Sequence, residues 1–149
     1  MTGRQYSFSI PGDPVGKQRP RTFMPKGGSF PVTTTPKKTR NYEALVKMCA
    51  EQAGVTPMSQ CTVKISIAIP VRMTEFKTKP PRIEEPRKRP DIDNIVKSVC
   101  DALNGIAYRD DKDILRITAG YCFIAAHKSA HTIVEIFERE WTEFMEATL

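Results

Sequence analysis

Apolar and polar positions alternate first at Tyr6, Phe8 and Ile10, with Ser7 and Ser9 between them. That period of two predicts a half-buried strand, which Pro11-Gly12-Asp13-Pro14 stops. From there to about Thr35 no apolar period exists, and Pro, Gly, Thr and basic residues predominate. A structureless loop of that length inside a domain is usually functional. Thr35-Pro36 then reads as an N-cap followed by proline at the first helical position. Tyr42, Leu45, Val46, Cys49 and Ala53 recur at three- and four-residue spacing, one apolar helix face that Gly54 terminates. Cys61, Val63, Ile65, Ile67, Ile69 and Val71 alternate over a long strand.

Residues 73–90 form a second irregular stretch, dense in Lys, Arg, Glu and Pro. A second helix follows at about Asp91–Asn104, closed by Gly105. Leu115, Ile117, Ala119, Tyr121 and Phe123 alternate in a strand, and Thr132–Phe137 make another. The linker Ala126–Ala130 is short enough to join those two as a hairpin. Trp141, Phe144, Met145 and Leu149 fit a short terminal helix. The expected architecture is a single α+β domain spanning residues 1–149, in the order β-α-β-α-β-β. Two main helices pack on one face of a mixed sheet of about four strands.

Bulk properties narrow the class. A chain of 149 residues suits one domain, and 40% hydrophobic with 27% charged residues is a globular balance. No apolar run approaches the length that spans a bilayer, and no secretory leader opens the chain, so a cytoplasmic protein is expected. Cys49, Cys61, Cys100 and Cys122 are scattered without a Cys-x-x-Cys pair, which argues for packed thiols over zinc or redox chemistry. His127 and His131 flank the expected turn and read as surface histidines. The net charge of +6 favours a polyanionic partner.

The second helix carries the chemistry. At about 100° per residue, Ile92, Ile95, Val96, Val99, Ala102 and Leu103 share one face. Asp93, Asn94, Lys97 and Asp101 share the opposite face, with Asp91 at its edge. Helix capping explains one aspartate at a helix start. It explains less well two aspartates and an asparagine, followed by a lysine and then by Asp110-Asp111. Converging carboxylates repel unless a cation neutralises them, and hard oxygen donors select Mg²⁺ or Mn²⁺. An EF-hand fails because Val96 and Ala102 stand where Gly and Glu are needed. A phosphatase-type Asp-x-Asp would follow an apolar strand, whereas this one follows Arg87, Lys88, Arg89 and Pro90. A sugar-nucleotide Asp-x-Asp is not excluded by its motif, but so small a chain leaves little room for the nucleotide fold.

Asp91-Ile92-Asp93-Asn94, Lys97, Asp101 to Gly105, Tyr108 and Asp110-Asp111 together resemble the signature of the RusA family of Holliday junction resolvases. The resemblance is strong over about Pro90–Ile117, and Gly16–Arg21 is similar to the basic N-terminal segment of phage-type members. It implies a small homodimeric endonuclease of prophage type that binds DNA four-way junctions. Mg²⁺ would be its cofactor, with Mn²⁺ able to substitute, and neither a small-molecule cofactor nor a membrane is implied. It also implies that Asp91, Asp93 and Asp111 bind the metal and that Lys97 is the essential lysine. Asp110 stays open as a ligand, and Asp101 is expected to orient Lys97 through an i,i+4 pair.

Around this helix, Lys17, Arg19 and Arg21 in the first irregular stretch, and Arg87, Lys88 and Arg89 in the second, are expected to contact phosphates. Lys77, Lys79 and Arg82 belong to the same basic set. Two rival readings remain at this level. One is a non-catalytic DNA-binding protein, for which the carboxylates have no use. The other is a general Mg²⁺ nuclease of flaps or single strands.

Overall fold

The computed structural model describes residues 3–76, 79–84 and 89–138. The elements run β1 (Gln5–Pro11), β2 (Arg21–Phe23), β3 (Val32–Thr34), α1 (Lys37–Gln52), β4 (Cys61–Phe76), β5 (Lys79–Glu84), α2 (Ile92–Leu103), a single 3₁₀ turn (Asp111–Asp113), β6 (Ile114–Ala125) and β7 (His131–Glu138). The expected α+β domain with two helices on a mixed sheet is what the chain forms. Trp141, Phe144, Met145 and Leu149, read as a terminal helix, lie outside the described residues.

β4 is the centre of the sheet. Its first part pairs antiparallel with β7 on one side and parallel with β6 on the other, and β7 pairs antiparallel with β1. Alternation makes one face of these strands apolar. Val63, Ile65 and Ile67 of β4 lie in register with Ile136, Val134 and Thr132 of β7, and all six are buried. Phe8 and Ile10 of β1 extend that face, and α1 and α2 cover it through Tyr42, Val46, Ile95, Val99 and Leu103.

Three expectations are corrected by the observed strand pairing. β6 and β7 are not a hairpin, because β4 lies between them. The linker of residues 126–130 instead carries the chain across β4. Two strand spacings are about 10 Å, and five residues reach roughly 16 Å, so the short linker suffices. The stretch 73–90 is only partly irregular: β4 runs on to Phe76, and β5 folds back on it antiparallel. The stretch before α1 contains the small β2–β3 hairpin. At α1 itself, Pro36 occupies the N-cap with no side-chain cap, and the first helical residue is Lys37.

α2 follows the expected phase. Ile95, Val99, Ala102 and Leu103 are buried, while Asp93, Lys97 and Asp101 are exposed. Its apolar face is therefore anchored in the core and its polar face is presented outward at a fixed angle. All four cysteines are free thiols. Cys61 is buried, which pushes its thiol up to about 11 and suits a packing role; Cys122 departs from that reading, being exposed.

Candidate active site

The acidic residues near α2 separate into two groups according to what their carboxylates already bind. Asp110 caps the 3₁₀ turn, accepting from the Lys112 backbone N–H at 3.1 Å and lying 3.5 Å from Lys112 Nζ. Asp113 completes that capping box by accepting from the Asp110 N–H at 3.3 Å. Asp101 accepts from Lys17 Nζ across 84 residues of chain. These three carboxylates serve the fold. The pairing of Asp101 with Lys17 also corrects the expectation that Asp101 orients Lys97.

Asp91, Asp93 and Asp111 form the second group, and all three are exposed. Asp91 sits at the N-cap of α2 with extended backbone, yet its side chain makes no cap hydrogen bond. Its backbone carbonyl accepts from Asn94 and Ile95 N–H instead, at 3.1 and 3.2 Å. The capping explanation for an aspartate at this position therefore does not apply to its carboxylate. Asp93, in the first turn of the helix, accepts from Lys97 Nζ at 3.2 Å. Asp111 Oδ1 accepts from the Asn104 side-chain amide at 3.3 Å, which ties the 3₁₀ turn to the C-terminal end of α2.

The Lys97–Asp93 pair is open to water, with side chains 61% and 63% exposed. An exposed i,i+4 pair is worth only about 0.3–0.5 kcal/mol. Stability is thus a weak reason for placing this lysine here. Lys97, Asp101 and Asp111 line one groove between α2 and β6, with Leu115 and Ile117 also among its lining.

Two tyrosines, Tyr108 buried and Tyr121 half-buried, hold the segments that carry the aspartates. Tyr108, three residues before Asp111, is fully buried and donates its hydroxyl to the Cys100 carbonyl at 2.6 Å. Burial, chiefly, raises its phenol well above the ordinary value, so it remains a neutral donor. Gly105, at φ 84°, donates to the Tyr108 carbonyl at 2.7 Å and closes the turn between α2 and the Asp110-Asp111 pair. Tyr121 on β6 donates to the Pro90 carbonyl, immediately before Asp91. Its ring lies 5.0 Å from the Arg89 guanidinium, a cation–π contact. Sequence reasoning missed Tyr121. The available signal was its inward place in the β6 alternation, in register with Ile67.

The segment Pro14–Gln18 forms a strap over both helices. Lys17 N–H donates to the Asn94 carbonyl at 2.9 Å, and Gln18 N–H to the Thr39 hydroxyl at 3.4 Å. Lys17 Nζ reaches Asp101 and, at 3.7 Å, Glu43. A Cβ at Gly16 would lie 3.1 Å from Asn94 Cβ and 3.2 Å from Pro90 Cβ, so a larger residue would press the strap away from both by a few tenths of an ångström. Lys17, expected at DNA, is thus engaged with two carboxylates of its own chain. Arg19 and Arg21 are exposed. Beside the strap runs a groove of about 290 Å³ lined by Lys17, Lys38, Arg89, Asp91 and Asn94. Lys38 is an addition to the basic set that no motif signalled. Arg87 and Lys88, like Lys77, lie outside the described residues.

The donor set fits a hard divalent cation, since Asp91, Asp93 and Asp111 offer only carboxylate oxygens. In their present rotamers, no three carboxylate, thiolate or imidazole groups among the described residues lie close enough to share one ion. Among the described residues no helix is long and apolar enough to cross a membrane.

Comparison with known proteins agrees over most of the chain. The family model described as endodeoxyribonuclease RusA matches residues 11–137, a span that holds the strap, α2 and the Asp110-Asp111 turn. A Bacillus subtilis (strain 168) protein, the uncharacterized protein YqaN, is 28% identical over 141 residues, covering 89% of this chain and 94% of its own.

Proposed function

Because the chain belongs to the RusA endodeoxyribonuclease family, we propose that it is a Mg²⁺-dependent nuclease that resolves four-way DNA junctions by paired phosphodiester hydrolysis. The observation that carries the reading is the Asp91 carboxylate, which stands at the N-cap of α2 without capping it. Asp101, Asp110 and Asp113 pair with Lys17 or the 3₁₀ turn, while Asp93 and Asp111 meet Lys97 and the Asn104 amide. Asp91, Asp93 and Asp111 would hold the ion, with Mn²⁺ able to replace Mg²⁺. Bound there, the ion would neutralise phosphate charge and lower the pKa of an attacking water.

Lys97 has a separate task. Its ammonium, four residues beyond Asp93 and exposed, donates to a nonbridging oxygen of the scissile phosphate as negative charge develops. Asp93 holds it in place until DNA arrives. Two cuts in strands of like polarity require two equivalent sites, which a two-fold homodimer supplies.

Lys38 lines the groove beside Asp91, and Arg19 and Arg21 follow the strap in the chain; in this reading all three contact backbone phosphates. Junction affinity should therefore fall steeply with salt, and Arg19→Ala or Arg21→Ala should each lower the slope of log affinity against log salt by about one. Fluorescence anisotropy of a labelled junction between 50 and 200 mM salt, about the range over which such contacts respond, reads this out. A flat dependence would remove the arginines from the interface.

A further inference from the structure

The β2–β3 hairpin stands apart from the packed core. All six residues of its two strands are exposed. Strand pairing with Thr22–Thr33 as a hydroxyl contact at 2.9 Å holds it together. Lys26-Gly27 makes its tip, with Gly27 at φ 81° and Gly28 N–H donating to the Pro25 carbonyl at 3.0 Å, a turn that needs glycine at its third position. Yet the hairpin carries four large apolar side chains in water: Phe23 at 51%, Met24 at 60%, Phe30 at 80% and Val32 at 40% exposure. Phe23 and Val32 face each other across the strands. A two-stranded ribbon with no core gains nothing in stability from so exposed an aromatic as Phe30.

Charge says what the patch meets. Between Asp13 and Glu43 the chain has no acidic residue and seven Lys or Arg. Aromatic rings set in an unbroken basic segment match single-stranded or unpaired nucleic acid, in which bases stack on rings while phosphates meet cations. The position fits as well. One end of the hairpin begins three residues after Gln18, which is bound to Thr39, and the other ends three residues before α1. It therefore rises from the strap that lies against Asn94 and Pro90, next to Asp91.

We propose that this hairpin is a base-stacking wedge, in which Phe30 and Phe23 occupy the branch point of the DNA and hold bases out of their stacks. The proposal rests on the nuclease reading and adds to it the element that distinguishes branched from continuous DNA. The test uses full-length protein carrying Asp93→Asn, so that DNA is not consumed, and a four-way junction with 2-aminopurine beside the branch point. Binding should raise the fluorescence severalfold. Adding Phe23→Ala with Phe30→Ala should abolish the rise and weaken junction binding roughly tenfold or more. Duplex binding should not change, and Phe30→Trp should retain the rise.

An undiminished rise in the double alanine variant overturns the wedge and leaves the nuclease reading intact. So does an equal loss on single-stranded DNA, which would make the patch a general stacking surface. A change in sedimentation with no change in fluorescence overturns it too, assigning the patch to self-association. Failure of the parent protein to bind any of the DNAs overturns both readings.

Discussion

Asp93→Asn is expected to abolish junction cleavage while leaving the fold and DNA binding in place. The substitution keeps the shape of the side chain and removes its charge. Among the described residues that charge pairs with the exposed Lys97, a pair worth a few tenths of a kcal/mol. The thermal midpoint should therefore move by no more than a few degrees. Activity is another matter, because a site that loses a hard anionic ligand loses the cation that stabilises the transition state. Several kcal/mol of charge stabilisation, at about 1.4 kcal/mol per tenfold, correspond to roughly a thousandfold or more. Lys97→Ala should cost about a hundred- to a thousandfold in rate, again without unfolding the protein. Single-turnover cleavage of a labelled junction, set beside circular-dichroism melts, separates the two effects. Near-normal cleavage by either variant would remove that residue from the chemistry.

Replacing Tyr108 should have the largest effect on stability. The residue is completely buried, and its hydroxyl donates at 2.6 Å to a helix carbonyl. Tyr108→Ala deletes a whole ring from the core, at a cost of about 3–5 kcal/mol. Against a typical total of roughly 5–15 kcal/mol, that is about a fifth or more of what holds the domain together. Tyr108→Phe removes only the hydrogen bond, about 1 kcal/mol. The alanine variant should also lose activity below its melting point, since Tyr108 sets the start of the turn that presents Asp111. Guanidinium unfolding of both variants measures the difference. Equal midpoints for the two would mean that the ring does not fill the space it occupies.

The elements legible in the sequence were those that bury one face. β1, β4 and β7 announce themselves by a period of two, and α1 and α2 by a period of 3.6, because each has a wet side and a dry side. β6 shows the same period of two, although none of its positions is buried and Leu115 and Ile117 are exposed. The helix phase of α2 also separated the exposed Asp93 and Lys97 from the buried Ile95 and Val99 before any tertiary contact was known. Other elements left no period. β2 and β3 are exposed at every position, and β5, with adjacent prolines in Lys79–Glu84, reads as a loop until β4 is seen to extend beside it.

Pairing across long separations was hidden for a different reason. A five-residue linker suits a hairpin, and nothing local says that β4, more than forty residues earlier, lies between β6 and β7. The same applies to Lys17 and Asp101, which are 84 residues apart, so the nearer Lys97 seemed the natural partner. At the site, the resemblance singled out Asp111 and left Asp110 open. The 3₁₀ turn separates them physically, by committing Asp110 to the cap and turning Asp111 to Asn104.

The most direct test of the account compares cleavage of a four-way junction, a flap, a linear duplex and a single strand by the purified protein, with Mg²⁺ and with the ion chelated. The account predicts symmetric paired nicks confined to the junction and dependent on Mg²⁺. Equal cutting of flap or single strand, or junction cleavage that persists without a divalent ion, would contradict it.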